Sequence, residues 1–277
     1  VVVRTLDAGA DKPLPFADLG PEDNPALGRR GLRLSAARPD LLDTQLEALA
    51  IAAKDTGADI RVMAPMVATA EEADWFARRV RENGLPSAGV MIEVPAAALR
   101  ARHVLAGVDF ASIGTNDLSQ YTLAADRMQG ELSDLLDPWQ PAVLDVIAAA
   151  CEGAAETGTP IGVCGEAAGD PLLALVLVGL GVSSLSMAPG KVGLVRWALS
   201  RQSLPDCQRI AAAVRAARTA GEARQAAEAE RASEPRRDAD PAGDRPVSIL
   251  LVEDNALIRA DTAIMLEEMG YTVTQAG

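Results

Sequence analysis

Two acidic residues stand at the carboxyl ends of apolar runs, where a charge needs a chemical reason. Glu93 lies late in the run GVMIEVPAA (89–97), and Asp117 ends the run FASIGTND (110–117). If these runs are adjacent parallel strands, both carboxylates lie at the face of the sheet where active sites gather. Two carboxylates suit Mg²⁺, which fills its other coordination positions with water molecules and oxygens of a substrate. The alternative is that each acid caps a helix or pairs with an arginine.

Four arginines are candidates for holding an anion: Arg4, Arg30, Arg61 and Arg127. The planar guanidinium matches carboxylate and phosphate groups through paired hydrogen bonds. Arg4 and Arg61 lie within apolar runs, where a charge is costly unless it is paired. A structural ion pair, such as Arg4 with Asp7, is the alternative for any one of them. Several arginines around two acids favour an anionic ligand.

Three further polar residues have chemistry to offer. Cys164 ends the run PIGVCGE (160–166). Most cysteines in such a position are small core residues, but a thiol can also act as a nucleophile or proton donor. Asn116 precedes Asp117 at a strand end. His103 is the only histidine, and its helical surroundings predict a surface position.

The elements that would position these residues are short apolar runs alternating with helical patterns. Strands are predicted over 1–7, 28–35, 59–66, 88–95, 110–117, 160–166 and 183–189, and helices over 41–54, 69–84 and 143–158. Thr69 with Glu72 fits a capping box, and Gly84 and Gly158 fit helix stops. Nearly apolar strands that alternate with helices indicate a parallel α/β sheet. Polar residues at the strand ends favour a (β/α)8 TIM-type barrel, one strand short, over a doubly wound sheet.

Composition limits the other functions. A net charge of −13 argues against a general nucleic-acid or anionic-membrane surface. Three cysteines without pairing or metal-binding spacing predict a cytoplasmic protein without disulfides. No stretch reaches 18 apolar residues, and no signal peptide is visible. The chain begins and ends beside apolar runs, so we expect a fragment of a longer polypeptide.

The composition changes after residue 200. Residues 201–234 are rich in Ala, Arg and Glu, which predicts a helical extension. Residues 235–246 are rich in Pro, Asp and Arg, which predicts a flexible linker. Residues 247–277 predict a strand, a helix and a second strand, the first βαβ unit of another domain.

Six motifs together resemble one protein family over roughly residues 1–200. They are VVVRTLDAGADKPLP, EDNPALGRRGLRLS, RVMAPM, GVMIEVPAA, FASIGTNDLSQYTLAADR and GVCGEAAGD. This set is similar to the C-terminal domain of enzyme I of the bacterial phosphoenolpyruvate-dependent phosphotransferase system. The resemblance implies a (β/α)8 barrel that binds phosphoenolpyruvate and Mg²⁺. It further implies phosphoryl transfer to a histidine on a separate N-terminal domain, a helical domain that docks a phosphocarrier protein, and a homodimer.

The same resemblance assigns roles to individual residues. Glu93 and Asp117 would hold Mg²⁺, and Cys164 would protonate the enolate of pyruvate. The substrate would be bound by Arg4, Arg30 and Arg127, with Arg61 and Asn116 nearby. The family's earlier barrel strand is absent from this sequence, which agrees with a barrel one strand short.

A second, partial resemblance covers SILLVEDNALIRADTAIMLEEMGYTVTQAG at the end of the chain. It is similar to the start of a response-regulator receiver domain of flavodoxin-like fold. Glu253 and Asp254 match the acidic pair that helps to bind Mg²⁺ there. The alternative is an acidic loop after a strand.

Two other functions remain open at this point. One is a relative of pyruvate phosphate dikinase or phosphoenolpyruvate synthase, which share the barrel. The other is a non-catalytic module that senses phosphoenolpyruvate and is coupled to two-component signalling. Cys164 argues against the second, because a sensor has no need of a proton donor.

Overall fold

The structure is a computed structural model that describes residues 1–17 and 19–233 with their side chains. It also describes the backbones of two further strands, Ser248–Val252 and Thr272–Ala276. Among the described residues, no helix is both long and apolar enough to cross a membrane.

A parallel sheet of six strands organises the fold. The strands are β1 (Val2–Arg4), β2 (Arg61–Ala64), β3 (Ser87–Ile92), β4 (Phe110–Gly114), β5 (Ile161–Cys164) and β6 (Ser184–Ser186). They pair in chain order, each parallel to the next, so β1 and β6 form the edges of the described sheet. The result is a parallel α/β fold with a curled half-barrel, two strands fewer than a complete (β/α)8 barrel.

Helices connect and cover the strands. They are α1 (Leu32–Ala37), α2 (Pro39–Thr56), α3 (Ala70–Glu82), α4 (Pro95–Leu99), α5 (Ala101–Val104), α6 (Thr115–Leu123), α7 (Pro141–Thr157), α8 (Pro171–Gly179), α9 (Pro189–Ser200), α10 (Leu204–Arg215) and α11 (Ala220–Ser233). The three predicted helices are confirmed as α2, α3 and α7. The capping box of Thr69 and Glu72 is confirmed at α3, and Gly158 ends α7 in the left-handed conformation.

The prediction of a strand over 28–35 is wrong, because helix α1 begins within this segment. Gly31 turns the chain with a φ of +59°, a left-handed conformation that suits glycine, and its amide donates to the Ala8 carbonyl at 3.0 Å. Leu32 and Leu34 alternate with polar residues in the sequence, as they would in a strand. In the structure, however, Leu34 packs in a small separate cluster with Ala8 and Ala17. Tertiary packing therefore overrides the strand pattern, and the sheet has six strands where the sequence predicts seven.

Alternation along the strands gives the sheet two different faces. The face against the helices is apolar and buried, and includes Val62, Ala64, Val90, Ile92, Ile113 and Val163. The opposite face carries the intervening residues, among them Met91, Gly114 and Cys164. The functional candidates at the strand ends therefore lie on the face away from the helices.

The segment after residue 200 adds two helices to the same core. Ile210 and Val214 of α10 and Ala223 and Ala227 of α11 are buried in the main apolar cluster. The predicted linker, residues 235–246, lies outside the described residues.

Two strands are described near the end of the chain. Ser248–Val252 (β7) and Thr272–Ala276 (β8) pair in parallel, as a βαβ unit requires. Glu253, Asp254 and the predicted helix between these strands lie outside the described residues.

Candidate functional site

Two carboxylates are buried together at the carboxyl end of the sheet. Glu93 directly follows β3, and Asp117 lies in the first turn of α6, directly after β4. Because β3 and β4 are parallel neighbours, both side chains lie at the same edge. Their residues are only 2% and 6% exposed, respectively. Two buried acids at one edge require compensating positive charge.

Glu93 is held in place by the backbone around it. Its Oε2 accepts a hydrogen bond from the Met66 amide at 2.9 Å, and in the part of the chain that the structure describes no donor reaches Oε1. Burial raises the pKa of Glu93 to about 7, and the neighbouring Asp117 carboxylate adds to the effect. An uncompensated buried carboxylate of this kind suits a cation.

Strand register places Glu93, Gly114 and Cys164 side by side. Ile92 pairs with Ile113, so Glu93 is level with Gly114, which in turn pairs with Cys164. A Cβ on Gly114 would lie 2.6 Å from Glu93 Oε1. Glycine at this position therefore leaves the room that the carboxylate occupies.

Arg30 lies at the centre of a group of charged side chains, called the charged cluster below. Its members are Arg4, Asp7, Asp11, Lys12, Arg30, Glu93, Asp117 and Arg127. The Nε and Nη2 atoms of Arg30 donate to the two carboxylate oxygens of Asp7, each at 3.1 Å, and its Nη1 donates to Asp117 Oδ1 at 2.8 Å. Arg30 is only 1% exposed, and these hydrogen bonds hold its pKa above the ordinary value despite burial. Burial alone would raise the pKa of Asp7, but the hydrogen bonds from Arg30 and Lys12 outweigh it and bring the pKa to about 2.

Three partly exposed cations surround these buried acids. Lys12 Nζ lies 2.8 Å and Arg4 Nη1 lies 3.5 Å from Asp7 Oδ2. Arg127 Nη1 lies 3.6 Å from Asp117 Oδ2. Since each cation is also open to solvent, all three can bind an incoming anion.

Cys164 lies at the end of β5, half-buried beside this cluster. Its Sγ lies 3.5 Å from the Ile113 carbonyl oxygen. Burial raises the pKa of the thiol, and the Glu93 carboxylate raises it further. The thiol therefore keeps its proton at neutral pH and can serve as an acid.

A cavity of about 940 Å³ opens directly after Cys164, at the carboxyl ends of β5 and β6. Its lining includes Gly165, Glu166, Ser186 and Lys191. The segment directly after Cys164 therefore lines a space large enough for a small organic ligand.

The structure brings most of the predicted site residues together, but not all. Arg4, Arg30, Arg127, Glu93, Asp117 and Cys164 belong to the same neighbourhood, and Asn116 is exposed in the first turn of α6 beside Asp117. Arg61 begins β2 in register with Ser87, six residues before Glu93, which places the two backbones about 20 Å apart. Its Nε lies 3.1 Å from Asp59.

Four residues around Arg30 were not among the predicted ligands: Asp7, Asp11, Lys12 and Tyr121. The Asp11 carboxylate lies 3.5 Å and the Tyr121 hydroxyl 3.3 Å from Arg30 Nη1. Asp7 lies three residues after the end of β1, so the rule that ligands gather at carboxyl strand ends applies to it as well, and Lys12 follows in the same segment. Tyr121 follows Asp117 by four residues on α6, and residues at this spacing share a helix face.

The donor set fits Mg²⁺ better than a metal that needs a full protein shell. Among the described residues, no group of three or more His, Cys, Asp and Glu side chains could hold a metal ion. Two carboxylates, with waters and substrate oxygens in the other positions, are typical of Mg²⁺.

Comparison with known proteins identifies relatives of this chain. Residues 1–204 match the family model described as PEP-utilising enzyme, PEP-binding domain. A phosphoenolpyruvate-protein phosphotransferase from Streptomyces coelicolor is 58% identical over 221 residues, 79% of this chain and 40% of that protein. One of the same name from Haloferax volcanii is 46% identical, covering 79% of this chain and 41% of that protein. A multiphosphoryl transfer protein from Xanthomonas campestris is 44% identical, covering 79% and 27%.

The chain spans about two fifths of the length of the first two relatives, which are named as transferases. The match to the family model ends at Leu204, where α10 begins, and includes every residue of the charged cluster. With its parallel half-barrel and its cluster of arginines and acids, this chain belongs to the PEP-utilising enzymes, as their PEP-binding domain.

Proposed function

We propose that this chain binds phosphoenolpyruvate and Mg²⁺ as the C-terminal part of a phosphoenolpyruvate–protein phosphotransferase. The observation that carries the proposal is the buried junction of Arg30 with Asp7 and Asp117, bordered by further cations. The substrate has a phosphate and a carboxylate, and arginine binds both kinds of group. The names of the relatives support the same function.

Glu93 and Asp117 are the residues that would hold Mg²⁺. When bound, the ion would neutralise charge that develops on the substrate's oxygens during phosphoryl transfer. Their fit rests on burial, on the open Oε1 of Glu93 and on the space that Gly114 leaves.

Arg4, Arg127 and Asn116 are the proposed contacts to the phosphate and carboxylate of the substrate. All three are open to solvent at the carboxyl end of the sheet. Arg30 uses most of its N–H groups on the protein and mainly orders the two acids around it. The geometry gives Arg61 no part in this arrangement.

Cys164 is the proposed proton donor. Breaking the bond between phosphorus and the bridging oxygen leaves the electron pair on the enolate of pyruvate. The thiol then protonates the methylene carbon, and the thiolate regains its proton from solvent. Its position one residue before the cavity lining and its raised pKa support this role.

The phosphoryl group would pass to a histidine on another domain of the intact protein and then to a phosphocarrier protein. His103, the only histidine of this chain, is exposed on α5, where Nε2 accepts a hydrogen bond from Arg102 at 3.1 Å. It takes no part in the contacts of the charged cluster. A homodimer and a cytoplasmic location complete the proposal, and light scattering at several protein concentrations tests the dimer.

The strands β7 and β8 support a second proposal, that residues 247–277 begin a receiver domain. Their parallel pairing needs a crossover connection, which residues 253–271 are long enough to supply. A phosphorylation assay on the intact protein with a small phosphodonor tests this proposal.

Calorimetric titration of the 277-residue chain with phosphoenolpyruvate, with and without Mg²⁺, tests the main proposal. We expect binding that requires Mg²⁺ and weakens about ten- to a hundredfold in Arg127→Ala, since charged hydrogen bonds contribute about 1.5–3 kcal/mol. Arg215→Ala is the matched control, because Arg215 also pairs with an aspartate, Asp145, but lies on α10. Binding without Mg²⁺, or equal loss in both variants, would contradict the proposed site.

A further inference from the structure

Tyr121 joins two parts of the charged cluster through one hydroxyl group. The hydroxyl accepts a hydrogen bond from Arg30 Nη1 at 3.3 Å and donates one to the backbone oxygen of Ala26. Asp117, one helical turn earlier on α6, accepts from the same Nη1. Helix α6 therefore presents a carboxylate and a hydroxyl to a single guanidinium nitrogen.

The hydroxyl has a competitor for this nitrogen. Asp11 Oδ2 lies 3.5 Å from Arg30 Nη1. The other two nitrogens of Arg30 are both bound to Asp7, so only Nη1 is free to change partners. We expect that loss of the Tyr121 hydroxyl lets Nη1 move toward Asp11 and lengthens its hydrogen bond to Asp117.

The contact with Ala26 gives the same hydroxyl a second effect. Residues 24–31 carry Arg30 and form no long helix or strand of their own. Glu22 binds the amide and guanidinium of Arg29, and Tyr121 binds Ala26. Two contacts join this segment to α6: Asp117 binds the side chain of Arg30, and Tyr121 binds the backbone at Ala26.

We propose that Tyr121 is a positioning residue, which holds Arg30 against Asp117 and fastens residues 24–31 to α6. This inference rests on the proposed function, because Asp117 is the carboxylate proposed to hold Mg²⁺. Tyr121 acts through Arg30 and needs no contact with the substrate.

The test is Tyr121→Phe in the 277-residue chain, which removes the hydroxyl and keeps the ring. Phosphoenolpyruvate binding is titrated by calorimetry at a series of fixed Mg²⁺ concentrations. We expect the Mg²⁺ concentration for half-maximal binding to rise about tenfold, since a hydrogen bond to a charged group is lost. Affinity at saturating Mg²⁺ should change by less than about threefold, because the substrate contacts remain. Equal weakening of both quantities would overturn the proposal, since general loosening of the site acts on both.

Hydrogen exchange of the ligand-free protein provides the second measurement. We expect the amides of residues 24 and 26–31 to exchange about tenfold faster in Tyr121→Phe, since they open more often. Thr157→Val is the control, because the Thr157 hydroxyl has three hydrogen-bond partners at the end of α7. Unchanged exchange in residues 24–31 would overturn the proposal. A wild-type chain that does not bind phosphoenolpyruvate would instead refute the proposed function. Hydrogen exchange would still test whether Tyr121 holds residues 24–31 to α6.

Discussion

Replacing Glu93 by glutamine should stabilise the metal-free protein at alkaline pH and have little effect at acidic pH. Burial and the Asp117 carboxylate raise the pKa of Glu93 from its ordinary value of 4.5 to about 7. Below pH 4.5 the carboxyl is protonated in both the folded and the unfolded chain. Between pH 4.5 and 7 only the unfolded chain loses the proton, so the folded state loses stability as the pH rises.

The shift in pKa sets the size of the effect. It corresponds to about 3 kcal/mol of destabilisation at pH 8, and less than about 1 kcal/mol at pH 5. Glutamine cannot ionise, and its side-chain oxygen can still accept the hydrogen bond from the Met66 amide. The variant should therefore gain about 3 kcal/mol over the wild type at pH 8.

Urea unfolding followed by circular dichroism at pH 5 and pH 8, with a chelator present, measures this difference. Glu152→Gln is the control, because Glu152 is exposed on α7 and should give the same small change at both values of pH. A stability difference between Glu93→Gln and wild type that does not grow from pH 5 to pH 8 would refute the reasoning. It would mean that the carboxylate is already compensated in the folded protein.

Two further predictions concern the neighbours of these groups. Gly114→Ala should cost about 2 kcal/mol of stability by overpacking and abolish Mg²⁺-dependent binding in the titration, whereas Gly190→Ala, with open space around it, should do neither. Normal binding by the first variant would contradict the close approach to the carboxylate. Asp7→Asn should cost about 3–5 kcal/mol in urea unfolding at pH 7, because it breaks the buried pair with Arg30. Since the pKa of Asp7 is about 2, the wild type keeps this stability above pH 4 and loses it as the pH falls from 3.8 toward 2. The control is Asp145→Asn, which breaks an exposed ion pair and should cost less than about 1 kcal/mol of stability.

The carboxylates and the thiol could be predicted from the sequence because they follow strands that are easy to recognise. Glu93, Asp117 and Cys164 each come at or just after the end of an apolar run, and parallel strands bring those ends together. The shared face of Glu93 and Cys164 follows from the period of two along a strand. The register of the strands determines which residues of neighbouring strands lie side by side. This register is known only from the structure.

The remaining site residues come from a segment without periodicity. Residues 5–31 between β1 and α1 carry Asp7, Lys12 and Arg30, and their contacts depend on turns such as the one at Gly31. The same turn explains why a strand over 28–35 was a wrong prediction. Arg61 shows a different limit of the sequence analysis. It lies at the amino end of β2, whereas the candidate site lies at the carboxyl ends of the strands, so an arginine in an apolar run indicates the site only when it lies near the carboxyl end.

The register of β4 limits how the length of this protein can change during evolution. Inserting one residue between Phe110 and Gly114 would exchange the two faces of the strand. Ile113 would then replace Gly114 beside the Glu93 carboxylate, and a polar residue would enter the apolar core. Changes in length should therefore accumulate in segments such as 124–140, which has no buried strand, and be rare within the strands that border the site.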